Sequence, residues 1–123
     1  MANRLNGFYV AEYQGVNEDG SAGRGVAVVR DGRIHGGDSS SCFVGTLQEV
    51  HNVIVANVSV YPLSPVGYQS ITGYESDPWI LPDIRGKVPE GEVPADVVLE
   101  LDGQRYDNSH AAIMIRLTRI LVI

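Results

Sequence analysis

The chain has 123 residues, which is enough for one domain with a single hydrophobic core. Nine Lys and Arg against fifteen Asp and Glu give a net charge of −6, and an acidic surface repels the phosphates of nucleic acid. The single cysteine excludes an internal disulfide, and no apolar run approaches the ~20 residues of a membrane-spanning helix. We therefore expect one domain over residues 1–123, with no binding to nucleic acid or membrane. Because the chain starts without an apolar leader, we expect a cytoplasmic location.

The first half of the chain predicts a series of short antiparallel strands. Apolar and polar residues alternate with the period of two that places them on opposite faces of a strand. Asp31-Gly32 predicts a type I′ hairpin turn, and three serines from Ser39 to Ser41 predict a second turn. The runs predicted as strands are 7–13, 25–30, 33–38, 42–48 and 53–61.

The second half carries a weaker pattern. One short strand is allowed within 69–73. The four prolines between Asp77 and Pro94 predict mostly irregular chain with one short turn of helix. Alternation resumes over 95–102, where Asp102-Gly103 predicts a turn, and the β-branched run 109–123 predicts a final strand.

Seven or eight short strands at this spacing indicate an all-β domain. We expect a small antiparallel up-and-down barrel rather than a sandwich, because successive hairpins suit a meander and closure removes the edge strands. A barrel of this size is either filled by its own side chains or holds one small ligand.

Residues suited to catalysis or metal binding are sparse. His35 and Asp38 are three positions apart on a predicted strand, which places them on opposite faces and argues against a metal pair. Only Tyr9, Tyr13, His35 and Tyr61 are candidates for polar groups converging inside a barrel. We therefore expect no enzyme activity, no metal and no cofactor.

Several short glycine-based motifs in the first half resemble a known family. They are Gly7-Phe8-Tyr9, the strand start Gly23-Arg24-Gly25, the hairpin 31–38 with its Gly36-Gly37-Asp38 end, and Gly45-Thr46-Leu47. This part of the chain resembles the negative regulators of type III secretion in attaching-and-effacing enteric bacteria. The resemblance implies a lipocalin-like barrel that forms a homodimer. It also implies a non-enzymatic regulator that binds a transcriptional activator and holds it off DNA.

One motif of that family is largely missing here. The family carries four alternating acids after the Gly-x-Leu strand, and they are implicated in partner binding. This chain has Glu49-Val50-His51-Asn52 at that place, so only Glu49 matches. An acidic loop would attract a basic DNA-binding partner, and most of that local charge is lost.

These patterns lead to two functional hypotheses. The first is a regulator that binds a protein partner, with Glu49 and Trp79 as candidate contact residues. Trp79 lies in the core or on an interaction surface, and the apolar end 121–123 is either tucked in or part of a subunit interface. The second is a carrier or sensor of a small apolar ligand in a cavity of ~300 Å³ or more. Its candidate lining residues are Ile54, Val58, Leu99 and Ile115.

Overall fold

The computed structural model describes residues 4–15, 22–62, 68–70, 73–75, 79–105 and 108–123. Within these segments the chain forms ten strands and no helix. The strands are β1 (Gly7–Gly15), β2 (Ala22–Arg30), β3 (Arg33–Gly37), β4 (Ser41–Val50), β5 (Val53–Pro62), β6 (Tyr68–Ser70), β7 (Gly73–Glu75), β8 (Trp79–Lys87), β9 (Val98–Arg105) and β10 (Asn108–Val122).

Eight of the strands close into an antiparallel barrel. Their order around it is β1-β10-β9-β8-β5-β4-β3-β2, so the first and last strands of the chain close the ring. β6 and β7 pair with each other in a separate two-stranded sheet, between β5 and β8 in the sequence. The predicted all-β, up-and-down barrel is confirmed, with eight strands in its wall.

The alternation of the sequence sets which side chains point inward. On β1, Tyr9 and Ala11 are buried, whereas Phe8 and Glu12 are exposed. On β10, Leu117 is buried in the same way. The inward-facing side chains therefore form one continuous apolar core inside the barrel.

Two tight turns at one end of the barrel use left-handed backbone. Asp31 and Gly32 have φ of 50° and 83°, which confirms the predicted hairpin between β2 and β3. His51 and Asn52, with φ of 51° and 64°, make the same kind of turn between β4 and β5. His51 is exposed there.

The proline-rich segment differs from its prediction. Trp79–Lys87 is a strand, and the described part of 77–94 contains no turn of helix. The register between β5 and β8 shifts between Ala56 and Val58, which pair with Ile84 and Leu81 respectively. Pro82 falls inside this bulge, where its missing N–H breaks no ladder hydrogen bond.

The turn predicted at Asp102-Gly103 is also wrong. Both residues lie inside β9, where Asp102 pairs with Met114 and Gly103 with Ile113. Gly103 points into the barrel, and a Cβ there would lie 3.0 Å from the Ile84 side chain. The glycine therefore serves close packing in a strand, although Asp-Gly is locally a turn signal.

Candidate functional site

The two ends of the barrel differ. We call the end that carries the turn at Asp31 and Gly32 the lower end, and the end where 38–40 connect β3 to β4 the upper end. At the lower end, the segment before β1 and the segment 88–97 lie close to the buried Arg119 of β10. The Arg119 guanidinium donates four hydrogen bonds to main-chain oxygens, those of Pro94 at 2.7 Å, Ala95 at 2.8 Å, Arg4 at 2.8 Å and Asn6 at 3.1 Å.

Apolar side chains fill the lower half behind this closure. Leu5, Tyr9, Ile54 and Leu99 are all fully buried. The Tyr9 hydroxyl donates a 2.5 Å hydrogen bond to the main-chain oxygen of Leu5. Burial raises the pKa of Tyr9, and the nearby Arg119 guanidinium offsets part of that rise. The lower end is therefore plugged.

Above the plug, the barrel contains a cavity of about 230 Å³. All eight strands of the barrel contribute to its lining, which is mainly apolar. Its apolar side chains are Ala11, Ala22, Ala27, Ile34, Phe43, Leu47, Ala56, Val58, Val60, Leu81, Ile84, Leu101, Ile113, Ile115 and Leu117.

Polar groups lie at the upper edge of this cavity. The Asp38 carboxylate accepts hydrogen bonds through Oδ1 from the main-chain N–H groups of Ser40 at 2.7 Å and Ser41 at 2.8 Å. The Ser41 hydroxyl donates to the same oxygen at 3.1 Å. Oδ2 accepts a hydrogen bond from the Tyr13 hydroxyl. These bonds hold a carboxylate and a phenol together at the edge of an apolar space.

The Tyr13 ring is fixed by its neighbours. It packs on Gly23, where a Cβ would lie 2.3 Å from the ring atom Cε2. It also meets Phe43 edge to face, with ring centroids 5.6 Å apart. Burial and the hydrogen bond to Asp38 raise the pKa of Tyr13, so its hydroxyl keeps its proton at neutral pH.

The residues predicted to line a ligand cavity fall into two groups. Val58 and Ile115 line the cavity. Ile54 and Leu99 point inward as predicted but lie in the plugged lower half, outside the lining. The cavity is also smaller than the ~300 Å³ expected from typical ligand pockets.

The residues predicted to contact a protein partner lie elsewhere. Glu49 binds Arg4 at the lower end, with Arg4 Nε donating to Oε1 at 2.8 Å and a second contact between Nη2 and Oε2. The hydrogen bonds from Arg4 hold the pKa of Glu49 below its usual range. Trp79 begins β8, and its side chain lies outside the described part of the structure.

The four candidates for converging polar groups do not come together. Tyr13 alone lines the cavity, while Tyr9 is in the plug and His35 and Tyr61 are exposed. The position of Asp38 beside Tyr13 was not predicted from the sequence. The available signal was the run of serines after an aspartate, which is typical of a loop held by the aspartate side chain. No cluster of three metal-ligating side chains occurs within the described segments.

The fold and cavity together define a plugged, eight-stranded antiparallel barrel with an apolar internal site. No helix in the described segments is long and apolar enough to span a membrane. In comparisons with known proteins, the chain matched no protein-family profile and no curated protein.

Proposed function

We propose that this chain is a non-enzymatic binding protein whose barrel holds one small apolar ligand. The observation that carries the proposal is the cavity of about 230 Å³ with its mainly apolar lining. An apolar cavity of roughly 150 Å³ in another protein stays dry and takes up benzene. The larger space here therefore suits a ligand with a single ring or a short chain.

The asymmetry of the barrel supports the same proposal. The lower end is closed by side chains around Arg119, while a cavity remains above this plug. A barrel that served only as a rigid body would gain stability from filling both halves, since each unfilled space forfeits packing contacts.

The experiment is a calorimetric titration of the purified chain with octan-1-ol, a neutral probe of suitable size. Ala56 lines the cavity, whereas its neighbour Asn57 is exposed. We expect saturable binding at one molecule per chain, and at least tenfold weaker binding in Ala56→Phe. Asn57→Phe adds the same ring outside the barrel and should bind as the wild type does. Absence of saturable binding, or an unchanged Ala56→Phe, would contradict the proposal.

A band of exposed apolar side chains favours a second candidate function, regulation through protein contact. In the ladder across β9, β10, β1 and β2, Val98 lies opposite Thr118, and Phe8 lies opposite Leu121. Val26 is exposed next to this row, on β2. A contiguous apolar patch of this kind is typical of an interaction surface. It supports the homodimer and the protein partner that the family resemblance implies.

The exposed apolar residues late in β10 indicate a second copy as the first occupant of this band. Ile120–Ile123 are 43–64% exposed, so the end is not tucked in. Residues up to Thr118 pair with β9, and the Arg119 N–H bonds the Val97 oxygen, whereas within the described strands Leu121 and Val122 pair only with β1. A second copy can add its own strand to the same edge by twofold symmetry.

Analytical ultracentrifugation tests this second candidate. We expect a dimer for the wild type and a monomer for Leu121→Glu. Met114→Glu places the same charge on an exposed apolar position of the same strand and should remain a dimer. A wild-type monomer, or a dimeric Leu121→Glu, would rule out this interface. Binding of a transcriptional activator rests on the resemblance, and a cytoplasmic location stays a prediction.

A further inference from the structure

The polar edge of the cavity indicates which ligands it accepts, if the proposed function holds. Asp38 carries a negative charge at the cavity lining. Its described hydrogen-bond partners are all donors. Arg24 also lies at the cavity edge, but it is exposed and occupies the outward-facing position opposite Glu12 in the ladder. The charge next to the Tyr13 hydroxyl is therefore negative.

The free hydrogen-bonding capacity of the Tyr13–Asp38 pair consists of acceptors. Among the described residues, Oδ1 of Asp38 accepts three hydrogen bonds, whereas Oδ2 accepts one, from Tyr13. Because each carboxylate oxygen has about two lone pairs, Oδ2 can accept one more donor. The Tyr13 oxygen donates its proton to Asp38 and keeps its own lone pairs. A ligand group placed here must donate hydrogen bonds.

The two groups are held in position before any ligand arrives. The main-chain N–H of Asp38 donates to the Ser41 oxygen at 2.9 Å, which closes the loop that carries the carboxylate. Gly23 and Phe43 fix the Tyr13 ring from two sides. Preorganised acceptors of this kind favour binding because little ordering remains to be done on association.

We propose that the cavity selects an amphipathic amine, with its apolar chain or ring inside the barrel and its ammonium group at the Tyr13–Asp38 pair. An ammonium donates three hydrogen bonds and carries the charge that complements Asp38. Scaling from benzene in roughly 150 Å³, the cavity holds about nine non-hydrogen atoms. A carboxylate of the same length binds more weakly because it brings a second negative charge and no donor to Asp38.

Three probes that share an eight-carbon chain separate the head group from the apolar body. They are octylamine, octan-1-ol and octanoate, each titrated calorimetrically into the purified chain at pH 7. We expect octylamine to bind at least tenfold more tightly than octanoate, with octan-1-ol between them. Added salt should weaken octylamine binding more than octan-1-ol binding, because the charge pair is screened.

Asp38→Asn is the variant that tests the assignment. It keeps an Oδ1 acceptor for the loop N–H groups and removes the charge, so the preference for octylamine should fall to within about threefold of octanoate. Asp96→Asn removes an exposed charge at the lower end and should keep the wild-type preference. If Asp38→Asn fails to fold, the wild-type ratio and its salt dependence decide.

The outcomes distinguish this inference from the function on which it rests. Equal or tighter binding of octanoate, or an unchanged preference in Asp38→Asn, overturns the amine assignment and leaves the apolar cavity site standing. Binding of none of the three probes overturns both.

Discussion

The Arg119 guanidinium donates a 2.8 Å hydrogen bond to the main-chain oxygen of Arg4, a residue 115 positions away in the sequence. The same guanidinium binds the oxygens of Asn6, Pro94 and Ala95. One buried side chain therefore joins the segment before β1, the segment before β9 and the last strand. It satisfies four main-chain acceptors, of which the Asn6 oxygen lies in a buried hydrogen bond, and it closes one end of the barrel.

Replacing Arg119 should strongly destabilise the fold. Arg119→Ala leaves four main-chain oxygens without this donor, and we expect it to lower the free energy of unfolding by at least about 3 kcal/mol. Arg116→Ala, which removes an exposed cation 3.7 Å from Glu100, should cost less than about 1 kcal/mol. Urea unfolding measures both. A loss below 1 kcal/mol for Arg119→Ala would show that water replaces the guanidinium.

The ion pair between Arg4 and Glu49 predicts a loss of stability in acid. The pKa of Glu49 is lowered in the folded state by the hydrogen bonds from Arg4, so the folded state binds its proton less readily than the unfolded chain does. The contribution is present above the ordinary Glu pKa of about 4.3 and is lost as the pH falls through the lower, folded pKa. Urea unfolding between pH 5 and 3 should therefore show a shallower decline for Glu49→Gln than for the wild type. Glu100→Gln should follow the wild type, and a parallel decline of Glu49→Gln would contradict the account.

The raised pKa of Tyr13 predicts that the protein loses stability at alkaline pH. Burial and Asp38 raise its pKa in the folded state, so the folded state holds its proton more tightly than the unfolded chain does. The contribution is present below the ordinary Tyr pKa of about 10 and is lost as the pH rises above it. Unfolding midpoints measured from pH 9 to 11.5 should fall less steeply in Tyr13→Phe than in the wild type. Tyr61→Phe, which changes an exposed ring, is the control, and identical slopes for all three proteins would refute the prediction.

The close approach of β4 and β5 at Gly45 leaves no room for a larger side chain. A Cβ at this position would lie 1.9 Å from the main-chain oxygen of Asn57 on β5. Gly45→Ala must therefore push two paired strands apart, and we expect a loss of about 2 kcal/mol. Thr46→Ala, at the exposed neighbouring position, should cost less than about 1 kcal/mol. Thermal unfolding measures the difference, and equal stability of the two variants would show that the wall adapts freely.

Local sequence patterns were sufficient to predict much of the barrel wall. Alternation identified the inward positions of β1 and β10, and Asp31-Gly32 identified its turn, because both depend on residues close in sequence. The turn predicted at Asp102-Gly103 was wrong because the conformation there depends on residues that are distant in the sequence. Pairing of β9 with β10 outweighs the local preference of that dipeptide for a turn. Pro82 was misjudged because a bulge accommodates it, and a bulge depends on the partner strand.

The candidate site was only partly predictable. Alternation placed Ile54, Val58, Leu99 and Ile115 inside the barrel but carries no information on their height along its axis. The height along the axis decides whether an inward residue lines the cavity. Ile54 and Leu99 lie in the plug near Arg119, whereas Val58 and Ile115 line the cavity. The plug joins residues more than 100 positions apart, and no local pattern reveals it.

Methyl chemical shifts during a titration with octan-1-ol test the central claim most directly. We predict saturable shifts for Val58, Val60 and Ile113, which line the cavity, and unchanged methyl signals for Ile54 and Leu99 in the plug. Equal shifts in both sets, or shifts confined to exposed methyl groups such as those of Leu121, would contradict a ligand site inside the barrel above the plug.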